Sequence, residues 1–185
     1  MTKVKSIADQ LIVNLHLIIL ACVFVGCAGN ADALTTEQLN IAVVRGYFTA
    51  LDNKDAAAIQ NLFAADARQE FVGNPPIIGL AAISQQFQIS EAQLQSMKTT
   101  YLTTVAEGDT VVVQVRHDAV FKSAGAIRTR NGITPSLVIF PRETPITWRA
   151  LAVFKVQNGK IVEEIIIRDE LSMMMQMGSV VLQLP

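Results

Sequence analysis

The chain has 185 residues, 51% of them hydrophobic and 17% charged, with a formal net charge of -1. A near-neutral balance without a basic run or stripe argues against a nucleic-acid partner. Both cysteines, Cys22 and Cys27, precede residue 34, so the remainder can build neither a disulfide framework nor a thiolate metal site.

Residues 1–33 read as a targeting segment. Lys3 and Lys5 form a basic start, Leu11 to Gly26 is a mostly apolar run broken by Asn14 and His16, and "ADA" at 31–33 has the small-x-small pattern of a cleavage site. A signal peptide is expected, which sends the protein into the secretory pathway. The alternative is an uncleaved membrane anchor, for which the run is short, since a spanning helix needs about 20 apolar residues. "FVGC" at 24–27 resembles a lipoprotein box imperfectly, because Phe24 stands where a Leu is usual. Either way the product is secreted or membrane-anchored.

Residues 34–185 have the length of one domain. Without Lys3, Lys5, Asp9 and Asp32, the 15 Lys and Arg fall to 13 and the 16 Asp and Glu to 14. His16 also goes with the leader, which leaves His117 as the sole histidine. A Ser-His-Asp, Cys-His or zinc site is therefore not expected, and chemistry is expected of carboxylates.

Thr35 and Gln38 read as a capping box, followed by Leu39, Val43, Tyr47, Ala50 and Leu51 at helical spacing. "DNKD" at 52–55 breaks that helix, and Asp55 caps a second through Ala58, Ile59, Leu62 and Phe63. "RQEFVGNPPIIG" at 68–79 predicts a short strand and a Pro/Gly turn, then a third helix from Leu80 to Phe87. From Lys98 the period becomes two. Strands are predicted over Thr99–Glu107, Thr110–Lys122, Ile146–Gln157 and Lys160–Arg168, with "QNGK" at 157–160 as a hairpin turn. Ser123–Pro145 is less regular. It is expected as an exposed loop, although "RTRNGIT" at 128–134 suggests a hairpin and the segment could serve as a flap over a pocket mouth. Helices followed by a mostly antiparallel sheet make the fold class α+β.

"VRHDAV" at 115–120 puts Arg116 and Asp118 on one strand face and His117 on the other. On the last strand, alternation puts Asp169 with Ile165 and Ile167, while Arg168 faces away. Two carboxylates beside one guanidinium can be driven to different protonation states, one acid and one base. The plainer alternative is a solvent-facing Arg116–Asp118 pair, with Asp169 capping the C-terminal helix. Glu70 is a further carboxylate, Glu163 and Glu164 read as exposed charges flanking a turn, and "MMMQM" at 173–177 reads as flexible core filler.

The domain resembles the nuclear-transport-factor-2-like superfamily, and within it limonene-1,2-epoxide hydrolase and the SnoaL-type polyketide cyclases. The resemblance rests on "YFTALDNKDAAAIQNLFAADA" at 47–67, "PPIIG" at 75–79 and "VFKVQNGKIVEEIIIRDELSMMMQMG" at 153–178. It implies a curved sheet wrapped by helices into a cone with an apolar pocket inside. It also implies an epoxide hydrolase trio at Arg116, Asp118 and Asp169, in which Asp169 activates water, Asp118 protonates the epoxide oxygen and Arg116 lies between them. Gln69, Phe71 and Trp148 are then expected at the substrate and water site. Gln69 and Phe71 stand where the hydrolase carries Tyr and Asn; Gln69 can supply a hydrogen bond to a water and Phe71 cannot. No metal or cofactor is implied.

The resemblance points to opening of a terpenoid or polyketide epoxide in secondary metabolism. A SnoaL-type cyclase or isomerase, to which "QMG" at 176–178 is similar, is the alternative, and a non-catalytic binder of small hydrophobic ligands is another. A ketosteroid isomerase fits less well, because Phe71 stands where its catalytic Asp is needed. The resemblance is compatible with a homodimer through the sheet, since Val111, Val113 and Val115 lie on the face away from Asp118; packing under a helix would explain them equally.

Overall fold

The computed structural model describes residues 33–122, 124–128, 135–139 and 143–177, and from Thr35 on these belong to one compact unit, Thr35–Pro185. The leader, its cleavage or anchoring, Cys22 and Cys27, and the end of "QMG" lie outside the described residues.

Helix α1 spans Thr36–Asn53 and opens on the expected box: Gln38 N donates to Thr35 Oγ1, and Thr35 N donates to Gln38 Oε1. Lys54 ends it in the left-handed region at φ 56°. Its ammonium donates to the carbonyls of Leu94 and Gln95, which ties the helix end to the sheet. Asp55 caps α2 (Ala56–Leu62) through Ala58 N. Strand β1 (Phe63–Phe71), the short β2 (Ile77–Ile78), α3 (Leu80–Gln93), β3 (Leu94–Glu107) and β4 (Thr110–Phe121) follow. After β7 (Thr144–Gln157) and β8 (Lys160–Arg168) the described chain closes with α4 (Glu170–Gln176). The hairpin between β7 and β8 turns on Asn158 and Gly159, both at positive φ, as an Asn-Gly turn requires.

Six strands form one open sheet in the order β2-β1-β8-β7-β4-β3. Only β1 and β8 run parallel; the other neighbours are antiparallel. Register shifts interrupt β1–β8, β3–β4 and β7–β8, and such bulges bend a sheet. The fold is therefore the α+β curved sheet of the nuclear-transport-factor-2-like kind. Between β4 and β7, strands β5 (Ala124–Arg128) and β6 (Pro135–Ile139) pair as a separate antiparallel ladder. Residues 124–128 and 135–139 are thus paired strands, in line with the hairpin suggestion and not with an irregular loop, while most of "RTRNGIT" lies outside the described residues.

Helix α1 packs its apolar face onto the sheet. Tyr47 and Phe48 meet Phe154 edge-on at ring-centre distances of 5.4 and 5.9 Å. Val111, Val113 and Val115 are buried in the same core, which resolves their role as packing within the fold. Burial of each such side chain contributes roughly 1.5–3 kcal/mol.

Candidate active site

The core is not filled throughout. A cavity of about 260 Å³ lies among α1, α3, α4 and the inner face of the sheet. Its wall is mostly apolar, with Phe48, Phe71, Trp148, Met173 and Met174 prominent, and it includes five groups able to move or hold protons or charge: Tyr47, His117, Glu164, Arg168 and Glu170.

His117 reaches the wall because β4 buries every second residue from Val111 to Ala119, and position 117 falls in that phase. Its ring lies against Trp148, centres 4.9 Å apart. Nδ1 is 3.1 Å from the hydroxyl of Thr99 on β3. That hydroxyl donates to Asp52 Oδ1 at 2.7 Å, and the Thr99 backbone N donates to Asp52 Oδ2 at 2.8 Å. A threonine hydroxyl has one proton and a carboxylate only accepts, so Nδ1 must be the donor to Thr99. The lone pair of the neutral ring then sits on Nε2. Burial pushes the pKa of His117 down to about 4, the Asp52 charge opposes that, and Arg168 adds to it. At neutral pH the group is an uncharged base.

Glu164 is fully buried. Its Oε2 accepts a 2.7 Å hydrogen bond from Gln69 Nε2, while Oε1 has no partner among the described residues. Desolvation raises its pKa to about 7, against the opposing effect of Gln69 and the Tyr47 hydroxyl. Burial and the nearby Glu164 in turn push Tyr47 well up, so it stays a phenol. Acid and base are therefore held apart in one apolar cavity, the arrangement that proton-transfer catalysis needs.

Arg168 completes the wall. Its guanidinium lies 4.7 Å from the ring centre of Phe71, and Nε donates to Glu170 Oε1 at 3.0 Å.

The expected trio faces the other way. Arg116 and Asp118 pair at 3.1 Å on the outer side of β4, their side chains 45% and 42% exposed. Thr147 Oγ1 donates to Asp118 at 2.8 Å, and this bond, followed by Arg116, holds the Asp118 carboxyl below its ordinary range. Asp169 is exposed and caps α4, accepting from Ser172 N at 2.9 Å. The expectation that the three share a pocket is corrected: the plainer alternative, a solvent-facing pair and a helix cap, describes them. Glu164, expected to be exposed, is instead among the most buried residues, and Arg168, expected to face away, faces in. Of the expected substrate and water positions, Phe71 and Trp148 line the cavity, and Gln69 is buried behind it as the partner of Glu164.

The reason lies in one bulge. Val156 pairs with Ile161 but Lys155 pairs with Glu163, so Val162 is extra, and the side-chain phase flips after it. Simple alternation from Ile161 puts Ile165, Ile167 and Asp169 inside; the bulge puts Glu164, Ile166 and Arg168 there. For His117 a signal was present in the sequence. Val111, Val113, Val115 and Ala119 share its phase, while Gln114, Arg116 and Asp118 share the other.

The SnoaL-like domain family matches residues 44–164. The chain belongs to the SnoaL-like domain family. Among solved structures, the SnoaL-like domain is similar to a LEH-like epoxide hydrolase from M. tuberculosis, with a TM-score of 0.59 and 17% identity over 77% of this chain and 92% of that one. It is similar to a candidate SnoaL-like polyketide cyclase from Jannaschia sp. CCS1, with a TM-score of 0.65 and 17% identity over 82% and 100% of the two chains. A third is a protein of ketosteroid isomerase-like fold from Catenulispora acidiphila in complex with trimethylamine, with a TM-score of 0.61 and 18% identity over 77% and 97%. At such identities the likeness is one of fold. No curated protein matches the chain.

Proposed function

We propose that this SnoaL-like domain is a cofactor-independent acid–base enzyme that cyclises or isomerises a small hydrophobic carbonyl compound of the polyketide or terpenoid kind. The observation that carries the reading is the pairing, in one apolar cavity, of the neutral base His117 with the protonatable Glu164. His117 Nε2 takes a proton from carbon next to the carbonyl as Glu164 gives its proton to the carbonyl oxygen. The resulting enol either regains a proton at another carbon or attacks a second carbonyl of the same molecule to close a ring. Thr99 and Asp52 hold the imidazole in the tautomer the first step needs. By its leader the enzyme works in the secretory pathway or beyond it, secreted or membrane-anchored.

Epoxide opening by water is the second reading, and the unpartnered Oε1 of Glu164 favours it, since that atom can bind a water or an epoxide oxygen. In that case His117 takes a proton from water, the water oxygen bonds to an epoxide carbon, and Glu164 protonates the oxygen released. A panel of apolar diketones and epoxides, incubated with the full-length protein in oxygen-18 water and read by mass spectrometry, separates the two. Unlabelled isomers formed by the wild type and lost in Glu164→Gln support the first reading, and labelled diols support the second. Saturable binding without any turnover across the panel would favour a plain ligand carrier.

A further inference from the structure

The cavity carries one cation that the proton-transfer chemistry does not use, Arg168, with the Glu170 carboxylate beside it. Arg168 spends its Nε edge on Glu170, whereas Nη1 and Nη2 make no hydrogen bond among the described residues. The guanidinium carbon lies over the Phe71 ring, 4.7 Å from its centre, and both residues line the cavity. The charge acts inside the site, since it bears on both Tyr47 and His117. The Arg168 side chain is 32% exposed, so water can satisfy this edge in the free protein and a ligand acceptor can take the water's place. A guanidinium fork matches a carboxylate through two parallel N–H···O bonds.

We propose that the cavity takes an apolar molecule bearing a carboxylate, seated on the Nη edge of Arg168 with its hydrocarbon part between Trp148 and Met173. The proposal rests on the reading of this cavity as a substrate site and narrows the substrate to an apolar acid. Glu170 holds the opposite edge, so the guanidinium bridges a resident carboxylate and an incoming one.

The test compares decanoate with decan-1-ol at pH 7, titrated into the full-length protein and followed by calorimetry and by the fluorescence of Trp148, the single tryptophan. Decanoate is expected to bind at least about tenfold more tightly, a charge-assisted contact of roughly 1.4 kcal/mol or more. Arg168→Gln should bring the two ligands to equal affinity. Glu170→Gln removes the same ion pair but keeps the guanidinium, so it should preserve the preference and shows that the loss in Arg168→Gln is not a packing effect. Equal affinities in the wild type, a preference that survives Arg168→Gln, loss of the preference in Glu170→Gln, or no saturable binding of either ligand would each overturn the proposal. Turnover does not enter these measurements, so failure of the acid–base reading leaves this readout standing, and the reverse holds too.

Discussion

Gln69 and Glu164 face each other across the one parallel pair of the sheet, Cα partners on β1 and β8, joined by a 2.7 Å hydrogen bond from amide to carboxyl. That contact and the Tyr47 hydroxyl are the polar groups that oppose the upward push of burial on the Glu164 pKa, Gln69 being the larger of the two. Gln69→Leu removes the only amide donor to Glu164 and should raise the pKa of Glu164 further. The upper limb of the activity profile should then move above its wild-type position near pH 7, which a pH series of kcat/KM in wild type and variant would reveal.

The same two groups predict the wild-type profile. His117 must be unprotonated, with a pKa of about 4, and Glu164 protonated, with a pKa of about 7. Activity should form a bell between these limbs. Glu164→Gln should cost about 10²-fold or more in kcat and remove the upper limb. An unchanged upper limb in that variant would assign it to another group.

Stability should show the same pair with opposite signs. Glu164 is protonated in the fold and ionised in the unfolded chain between pH 4.5 and about 7, so it lowers stability as pH rises through that window. His117 is neutral in the fold and protonated in the unfolded chain between about pH 4 and 6.5, so it raises stability as pH rises. Each effect is roughly 3 kcal/mol, and they nearly cancel from pH 4.5 to 6.5. Urea denaturation across that range should therefore be steeper and rising in Glu164→Gln relative to wild type, and falling in His117→Phe.

Thr99→Val cuts the link from Asp52 to His117 while keeping the shape of the side chain. The imidazole is then free to take the other tautomer, and kcat should fall about tenfold to 10²-fold with KM little changed. A comparable rise in KM alone would mean that Thr99 shapes the cavity rather than the base.

On the outer face, Asp118→Asn and Arg116→Ala should leave turnover within about twofold and stability within roughly 1 kcal/mol, as exposed ion pairs do. Asp169→Asn keeps an N-cap and should be silent, whereas Asp169→Ala should cost about 1 kcal/mol through α4. A loss of 10²-fold in activity for Asp169→Asn would restore the carboxylate trio as the working site.

Much of this molecule is written locally. Capping at Thr35 and Asp55, the Asn158–Gly159 turn and the span of β8 from Lys160 to Arg168 follow from short-range rules, because caps, turns and periodicity involve neighbours in the chain. The family resemblance was legible in the same stretches. The inward face of β4 could also be read from its valines, although the functional motif pointed to the opposite face. What the sequence could not decide was the phase of "EEIIIRD", where both faces of the strand carry isoleucine and the hydrophobic pattern has no preference. A bulge at Val162, set by pairing with β1 and β7, made that choice. Nor could spacing bring Asp52, Thr99 and His117 into line, or Gln69 to Glu164, 95 residues away. Those meetings belong to the order of strands in a curved sheet, and side chains far apart in sequence become neighbours only when that order closes the cavity around them.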